Sequence, residues 1–147
     1  KNLQTLKICL AHFGGEDEWE RFLTRDKGDF EVALHKPAKS YLPKDVHQFW
    51  HSVSWFSIIY NLLLRFPNTY ADISFTLHDE RTLSLLKFLL ESSPIADRIL
   101  FGTDFYVVRQ KKNEKVLWTD LKAFLGEENF NKIAIANPEK FLNITMA

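Results

Sequence analysis

Three short apolar runs, set apart by stretches of helical periodicity, constrain this chain more than any other feature. They lie at about residues 7–11 (KICLA), 69–75 (TYADISF) and 98–101 (RILF), each of a length suited to a buried strand. After the first run, Trp19, Phe22 and Leu23 fall on one side of a charged segment over about 17–25. A longer helix is expected from Pro43 or Asp45 to Phe66, where Pro67 stops it. Asp79 is the expected N-cap of a helix carrying Leu83, Leu86, Phe88 and Leu89 before Pro94. Beyond the third run come a loop near 110–114, a helix over about 119–124 ending at Gly126, and a short helix over about 127–135. A last helix opens with Asn137-Pro138, read as an N-cap followed by proline at the first helical position.

The order β-α-α-β-α-β-α-α-α predicts an α/β domain in which parallel strands alternate with helices. Residues 1–147 read as one domain, with a stretch at about 26–44 that fits neither period and is expected to be an insertion. Such insertions in α/β folds often sit over the ligand face, and an ordinary surface excursion is as good a reading. A hydrophobic content of 46% with 14% aromatics gives 147 residues a sizeable core and excludes intrinsic disorder. Nineteen basic residues balance nineteen acidic ones, so no overall field attracts nucleic acid or an anionic membrane. The basic run at 109–112 is too short to change that.

The single cysteine, Cys9, has no partner for a disulfide or a CxxC motif, which fits a reducing, cytoplasmic setting. No apolar run approaches the ~18 residues of a membrane span, because Ser57, Asn61 and Arg65 interrupt even WFSIIYNLLLRF. No signal-peptide pattern, Gly-rich phosphate loop or G-x-S-x-G elbow occurs.

In parallel α/β folds, ligands gather at the carboxyl ends of the strands. His12 follows the first run, and Gly14 and Gly15 let the backbone turn there without obstruction. Gly102 and then Asp104 follow the third. An imidazole and a carboxylate at one mouth are suited to share a divalent metal, with the carboxylate also able to take a proton. Taken singly, each has a plainer reading: a satisfied polar histidine, and an aspartate cap. Asp72 and Ser74 alternate with Ile73 and Phe75, so they face the same interior. Ser74 is placed to hydrogen-bond a substrate, although a buried polar pair satisfied by neighbouring strands is the default.

Other constellations carry less. His47 and His51 have the i, i+4 spacing of zinc-binding helices, but Gln48-Phe49-Trp50 between them lacks the glutamate that activates water. Two surface or interface histidines is the better reading. The aromatic series Phe49, Trp50, Trp55, Phe56 and Tyr60 reads as packing, with Trp50 or Trp55 as a candidate inter-subunit contact.

In this order LKICLAHFGG, NTYADISF, RILFGTDFY and NPEKFL resemble strands six, seven and eight and the final helix of the amidohydrolase superfamily. The likeness is to its amidohydrolase-2 branch of metal-dependent hydrolases and related decarboxylases. It implies the C-terminal portion of a TIM-type (β/α)8 barrel, with one or two divalent ions, usually zinc, at its mouth. His12 matches the histidine after strand six, which binds metal or contacts substrate. Asp104 matches the strand-eight aspartate, a metal ligand and general base, and Asn137 matches a structural position near the last helix. Small amides, lactones or carboxylates are the implied substrates, and a decarboxylase with the same metal site is equally compatible.

The chain departs from that family in one respect. His12, His35, His47, His51 and His78 form no H-x-H pair, the family's first-strand ligands. A barrel of this type needs ~250 residues, and the chain opens on Lys1. A fragment is therefore expected, with no turnover alone, completed by the missing N-terminal part of the barrel or by a homo-oligomer. The alternative is a non-catalytic α/β scaffold that acts through association.

Overall fold

In the computed structural model, which describes residues 6–25, 54–74, 80–109 and 113–145, the apolar runs pair as one parallel sheet in the order β1-β2-β3. The strands are shorter than the runs that contain them: β1 is Ile8–Leu10, β2 is Thr69–Asp72 and β3 is Ile99–Leu100. Cys9 lies beside Tyr70 and Leu10 beside Ala71, while Ala71 and Asp72 lie beside Ile99 and Leu100. Side chains alternate along a strand, so the sheet has two unlike faces. Ala71 and Ile99 join the main core on one face; Cys9, Tyr70, Asp72 and Leu100 share the other.

Strands this short are held by the helices that cover them. The helices are α1 (Glu16–Arg25), α2 (Trp55–Arg65) and α3 (Glu80–Ser92), then α4 (Phe105–Val108), α5 (Glu114–Leu125), α6 (Glu127–Asn131) and α7 (Asn137–Leu142). Phe56, Tyr60 and Leu63 of α2 and Leu85, Leu86, Leu89 and Leu90 of α3 bury against Ala71, Ile73 and Ile99. No helix among the described residues is long and apolar enough to cross a membrane. The expected insertion at 26–44, the Asp79 cap and His35, His47, His51 and His78 lie outside the described residues.

Two helix starts and one cap differ from the sequence expectation. The expected long helix does not run unbroken through Ser54, whose backbone is extended and whose hydroxyl accepts the Ser57 N–H at 3.2 Å. Glu18 of α1 adds its carboxylate, 2.7 Å from the Trp55 N–H, at the positive end of α2. Helix α5 begins five residues before the expected start at 119, because the Asn113 side chain accepts the Lys115 N–H at 2.9 Å.

The third difference is at Asn137, which has helical dihedrals and is no N-cap. Residues Lys132–Ala136 form a π turn, and the Asn137 N–H bonds back to the Lys132 carbonyl. In that register the Ile133 carbonyl would next await residue 138, which is proline and has no N–H. The spare carbonyl instead accepts the Phe101 N–H at 3.0 Å, tying the end of β3 to the tail. The Asn137 side chain is fully buried and donates to the carbonyls of Ala96 and Ile99 at 2.9 and 2.8 Å.

Asn137 thus acts as a staple between α7 and the approach to β3. Asn137→Ala removes the donor to one buried and one part-buried carbonyl and is expected to cost about 2–4 kcal/mol in urea unfolding. Asn137→Asp, which sets a carboxylate against those carbonyls, is expected to cost more. A neutral result in both would remove the staple.

Candidate functional site

The chain leaves β1 through a turn that few L-residues adopt. His12 and Phe13 have φ of 61° and 42°, and Gly14 and Gly15 follow at 91° and 88°. For glycine this is easy; for the other two it costs roughly 1–2 kcal/mol each. Gly14 is also required for space, since a Cβ there would lie 3.1 Å from the Phe56 nitrogen and 3.2 Å from Trp55.

Several contacts hold the turn. Phe13 is fully buried, stacks on Phe56 at 5.2 Å and meets the edge of Trp19 at 5.4 Å. The Trp19 indole donates to the Phe13 carbonyl at 3.0 Å, and the Gly15 N–H closes on the His12 carbonyl at 2.7 Å. The His12 N–H donates to Asp72 Oδ1 at 3.0 Å, across the gap from β1 to β2.

Asp72 ends β2 on the sheet face that lacks the main helix core. Its Oδ1 also accepts the Ser74 N–H at 3.1 Å, a local Asx turn, and the Ser74 hydroxyl. Ser74 Oγ in turn stands 2.9 Å from His12 Nδ1. On the other side, the Cys9 thiol donates to Asp72 Oδ2 at 3.7 Å. The third strand closes on the same place: a Cβ on Gly102 would lie 3.1 Å from Ser74 Cβ and 3.6 Å from Asp72 Cβ.

The structure therefore gathers His12, Asp72, Ser74 and Gly102 at the carboxyl ends of the three strands. Asp104 is half-buried two residues beyond Gly102, with a left-handed φ of 47° just before α4. It makes no side-chain hydrogen bond or ion pair among the described residues, so no direct contact joins it to His12 there. No three His, Cys, Asp or Glu side chains are grouped to hold a metal ion among the described residues. Asp72 and Ser74 are hydrogen-bonded to each other and to His12 at the exit of the neighbouring strand, as the default reading of a satisfied polar pair expects. The aromatic series of α2 divides: Phe56 and Tyr60 are buried, while Trp55 is 45% exposed.

Sequence reasoning missed two things. One is the Asp72 carboxylate as the acceptor for the His12 backbone; the signal was its i, i+2 relation to Ser74 on one strand face. The other is Cys9, whose alternation with Ile8 and Leu10 puts it on the Asp72 side of the sheet.

Against protein-family models, the chain matches the family described as Amidohydrolase over residues 49–144, more than half its length. Asp72, Ser74, Asp104 and Asn137 fall within the matched segment, whereas β1 and His12 precede it. Searches of curated proteins and of solved structures give no match.

Burial, and then the Asp72 carboxylate, push the Cys9 thiol up to about 11. The folded state thus holds the thiol proton more tightly than the unfolded one. The stability this contributes is whole below an ordinary thiol pKa and is lost as pH rises through about 11. Alkylation of Cys9 by iodoacetamide at pH 8 is expected to be about 100-fold slower in the folded chain than in denaturant. Asp72→Asn should recover only part of that rate, because burial is the larger cause; equal folded and unfolded rates would contradict the assignment.

Proposed function

The chain belongs to the amidohydrolase superfamily, and on that premise we propose that it is the C-terminal part of a metal-dependent hydrolase. In this reading β1, β2 and β3 are strands six to eight of a (β/α)8 barrel, whose active site lies at the carboxyl ends of its strands. The observation that carries it is the convergence of His12, Asp72, Ser74 and Gly102 at those ends, with Asp104 two residues further on. Small amides, lactones or carboxylates are the proposed substrates.

The family usually uses a divalent metal, and zinc suits a donor set of imidazole and carboxylate. A catalytic zinc site draws on three protein ligands, and the described residues group no three such donors. They do not by themselves fit the ion; further ligands would come from outside them. Where bound, such an ion supplies Lewis acidity and a more acidic water.

The proposed roles of the chain's own groups are limited. Asp104, half-buried two residues beyond Gly102, is the proposed base that takes up a proton from the attacking water, and would be one ligand where further donors complete the ion's site. His12 has two roles open to it, a donor that steadies negative charge on the substrate oxygen or a lone-pair group that holds an ion. The left-handed turn supports a functional assignment for it, because such strain persists where the surroundings over-determine it, and it clusters at active sites.

A second reading, a scaffold that acts by association with another copy, is supported by Ile8, which is 48% exposed on the edge strand β1. Two measurements separate the readings. Mixed with a polypeptide that supplies strands one to five, the chain is expected to gain zinc-dependent hydrolysis of an amide and lactone panel. Asp104→Asn should lower that rate about 100-fold or more, and the chain alone should show none. Turnover by the pure chain with added zinc, lost in Asp104→Asn, would overturn the fragment reading. A stable oligomer in native mass spectrometry, inactive in the mixture, would favour the scaffold.

A further inference from the structure

We infer that Arg109, held against Phe105 and Tyr106, is a subsite for the carboxylate of a planar organic acid, and so narrows the substrate class. For its catalytic meaning this rests on the proposed function; the binding is a property of the chain alone.

The three side chains stand where the chain has just left β3 and passed Asp104. Phe105 and Tyr106 open α4 and are 44% and 74% exposed. Their rings meet edge to face at 5.6 Å. The Arg109 N–H donates to the Phe105 carbonyl at 3.0 Å, which sets residue 109 one turn, about 6 Å, beyond residue 105 on the same side. The guanidinium carbon then lies 6.0 Å from the centre of the Phe105 ring and 5.9 Å from that of Tyr106. The rings hold the cation in place, and all three groups are open to a ligand.

What the cation lacks is an anion. Among the described residues the guanidinium meets no carboxylate or carbonyl, and its contacts are the two rings. Ring faces attract the charge but give little to the five N–H donors. Two of those donors match the two oxygens of a carboxylate, which lysine's point charge does not. The exposed rings beside the fork offer a flat apolar surface to the body of the acid.

Asp104, five residues back, sets the direction. Its side chain has no hydrogen bond or ion pair among the described residues, so the exit from β3 carries a negative and a positive group that do not neutralise each other. An acid arriving at the carboxyl ends of the strands is repelled by Asp104 and drawn to Arg109. Its carboxylate is turned to α4 and its other end toward Asp104. A neutral amide or lactone feels no such turning force. One exposed pair contributes little, so millimolar affinity is expected, with selectivity for charge as its signature.

The test is a titration of the full chain with benzoate and, separately, benzamide, a neutral amide of the same shape. The readout is the arginine Nε–Hε signals in proton–nitrogen NMR, at constant ionic strength. The Arg109 signal is assigned by its loss in Arg109→Gln. Benzoate is expected to shift it saturably and to bind about ten-fold more tightly than benzamide. In a folded Arg109→Gln chain, followed by the Phe105 and Tyr106 backbone amides, benzoate should bind no better than benzamide. Arg109→Lys, which keeps the charge and loses the fork, should fall between. Equal binding of the two probes by the native chain overturns the inference. So do benzoate binding unchanged in Arg109→Gln and the absence of any saturable shift. In the mixture with strands one to five, Arg109→Gln should raise KM for carboxylate-bearing substrates about ten-fold relative to neutral ones. An inactive mixture whose chain still selects benzoate would sink the hydrolase reading and leave the subsite standing. An active mixture without that KM split would do the reverse.

Discussion

One carboxylate holds the exits of β1 and β2 together. Asp72 accepts the backbone N–H of the residue leaving β1, the backbone N–H and hydroxyl two residues ahead of itself, and the thiol beside it. Hydrogen bonds to a carboxylate are the stronger kind; two of these cross from β1 to β2 and two close the turn at the end of β2. Of these bonds, those from the His12 N–H and the Cys9 thiol tie β1 directly to β2. The left-handed backbone at His12 and Phe13 is held besides by the Trp19 indole on the Phe13 carbonyl and by the Gly15 N–H on the His12 carbonyl.

Packing is the second half of the arrangement. Phe13 is driven into the cluster of Trp19, Phe22 and Phe56, and burying a phenyl ring yields roughly 1.5–3 kcal/mol. This is comparable with the dihedral cost of the turn, so the aromatic ring offsets the strain and the carboxylate sets its direction. Consecutive residues are thereby sent opposite ways. Phe13 goes into the helix layer, and His12 stays at the edge of the sheet, where Ser74 and Gly102 meet it. The sheet face covered by α2 and α3 carries stability, and the face with Cys9, Asp72 and Leu100 leads to the polar cluster of His12, Asp72 and Ser74.

Much of this was legible in the sequence, for reasons that differ by residue. The strands declared themselves because parallel strands covered by helices are continuously apolar, and ICL, TYA and IL are that. Gly14 was readable as a turn, but nothing local announced that His12 and Phe13 would share its positive φ; that depends on Phe56 and Asp72, more than forty residues away in sequence. Asn137-Pro138 marked the start of α7, but not through an N-cap: the asparagine has helical dihedrals and gives its amide to two distant carbonyls. Asp72 and Ser74 were recognisable as a polar pair on one strand face. Which partner satisfied them was not, since His12 reaches Ser74 only once β1 and β2 are in register.

The tail of the chain has a geometric consequence beyond its hydrogen bonds. Each π-type bond encloses one residue more than an α-type bond, and one residue is about 100° of rotation about a helix axis. The turn at Lys132–Ala136 therefore splits a continuous rod into two halves that look in different directions. The first half presents Phe130 to Phe101 and lends the Ile133 carbonyl to the outlet of β3. The second half presents Phe141 to Tyr70 and brings Asn143 to Lys7, just ahead of β1. The tail acts as a tie rod along the sheet, bolted near the outlet of one strand and the inlet of another. Tension on it would reach β1 at Lys7, at the opposite end of that strand from His12.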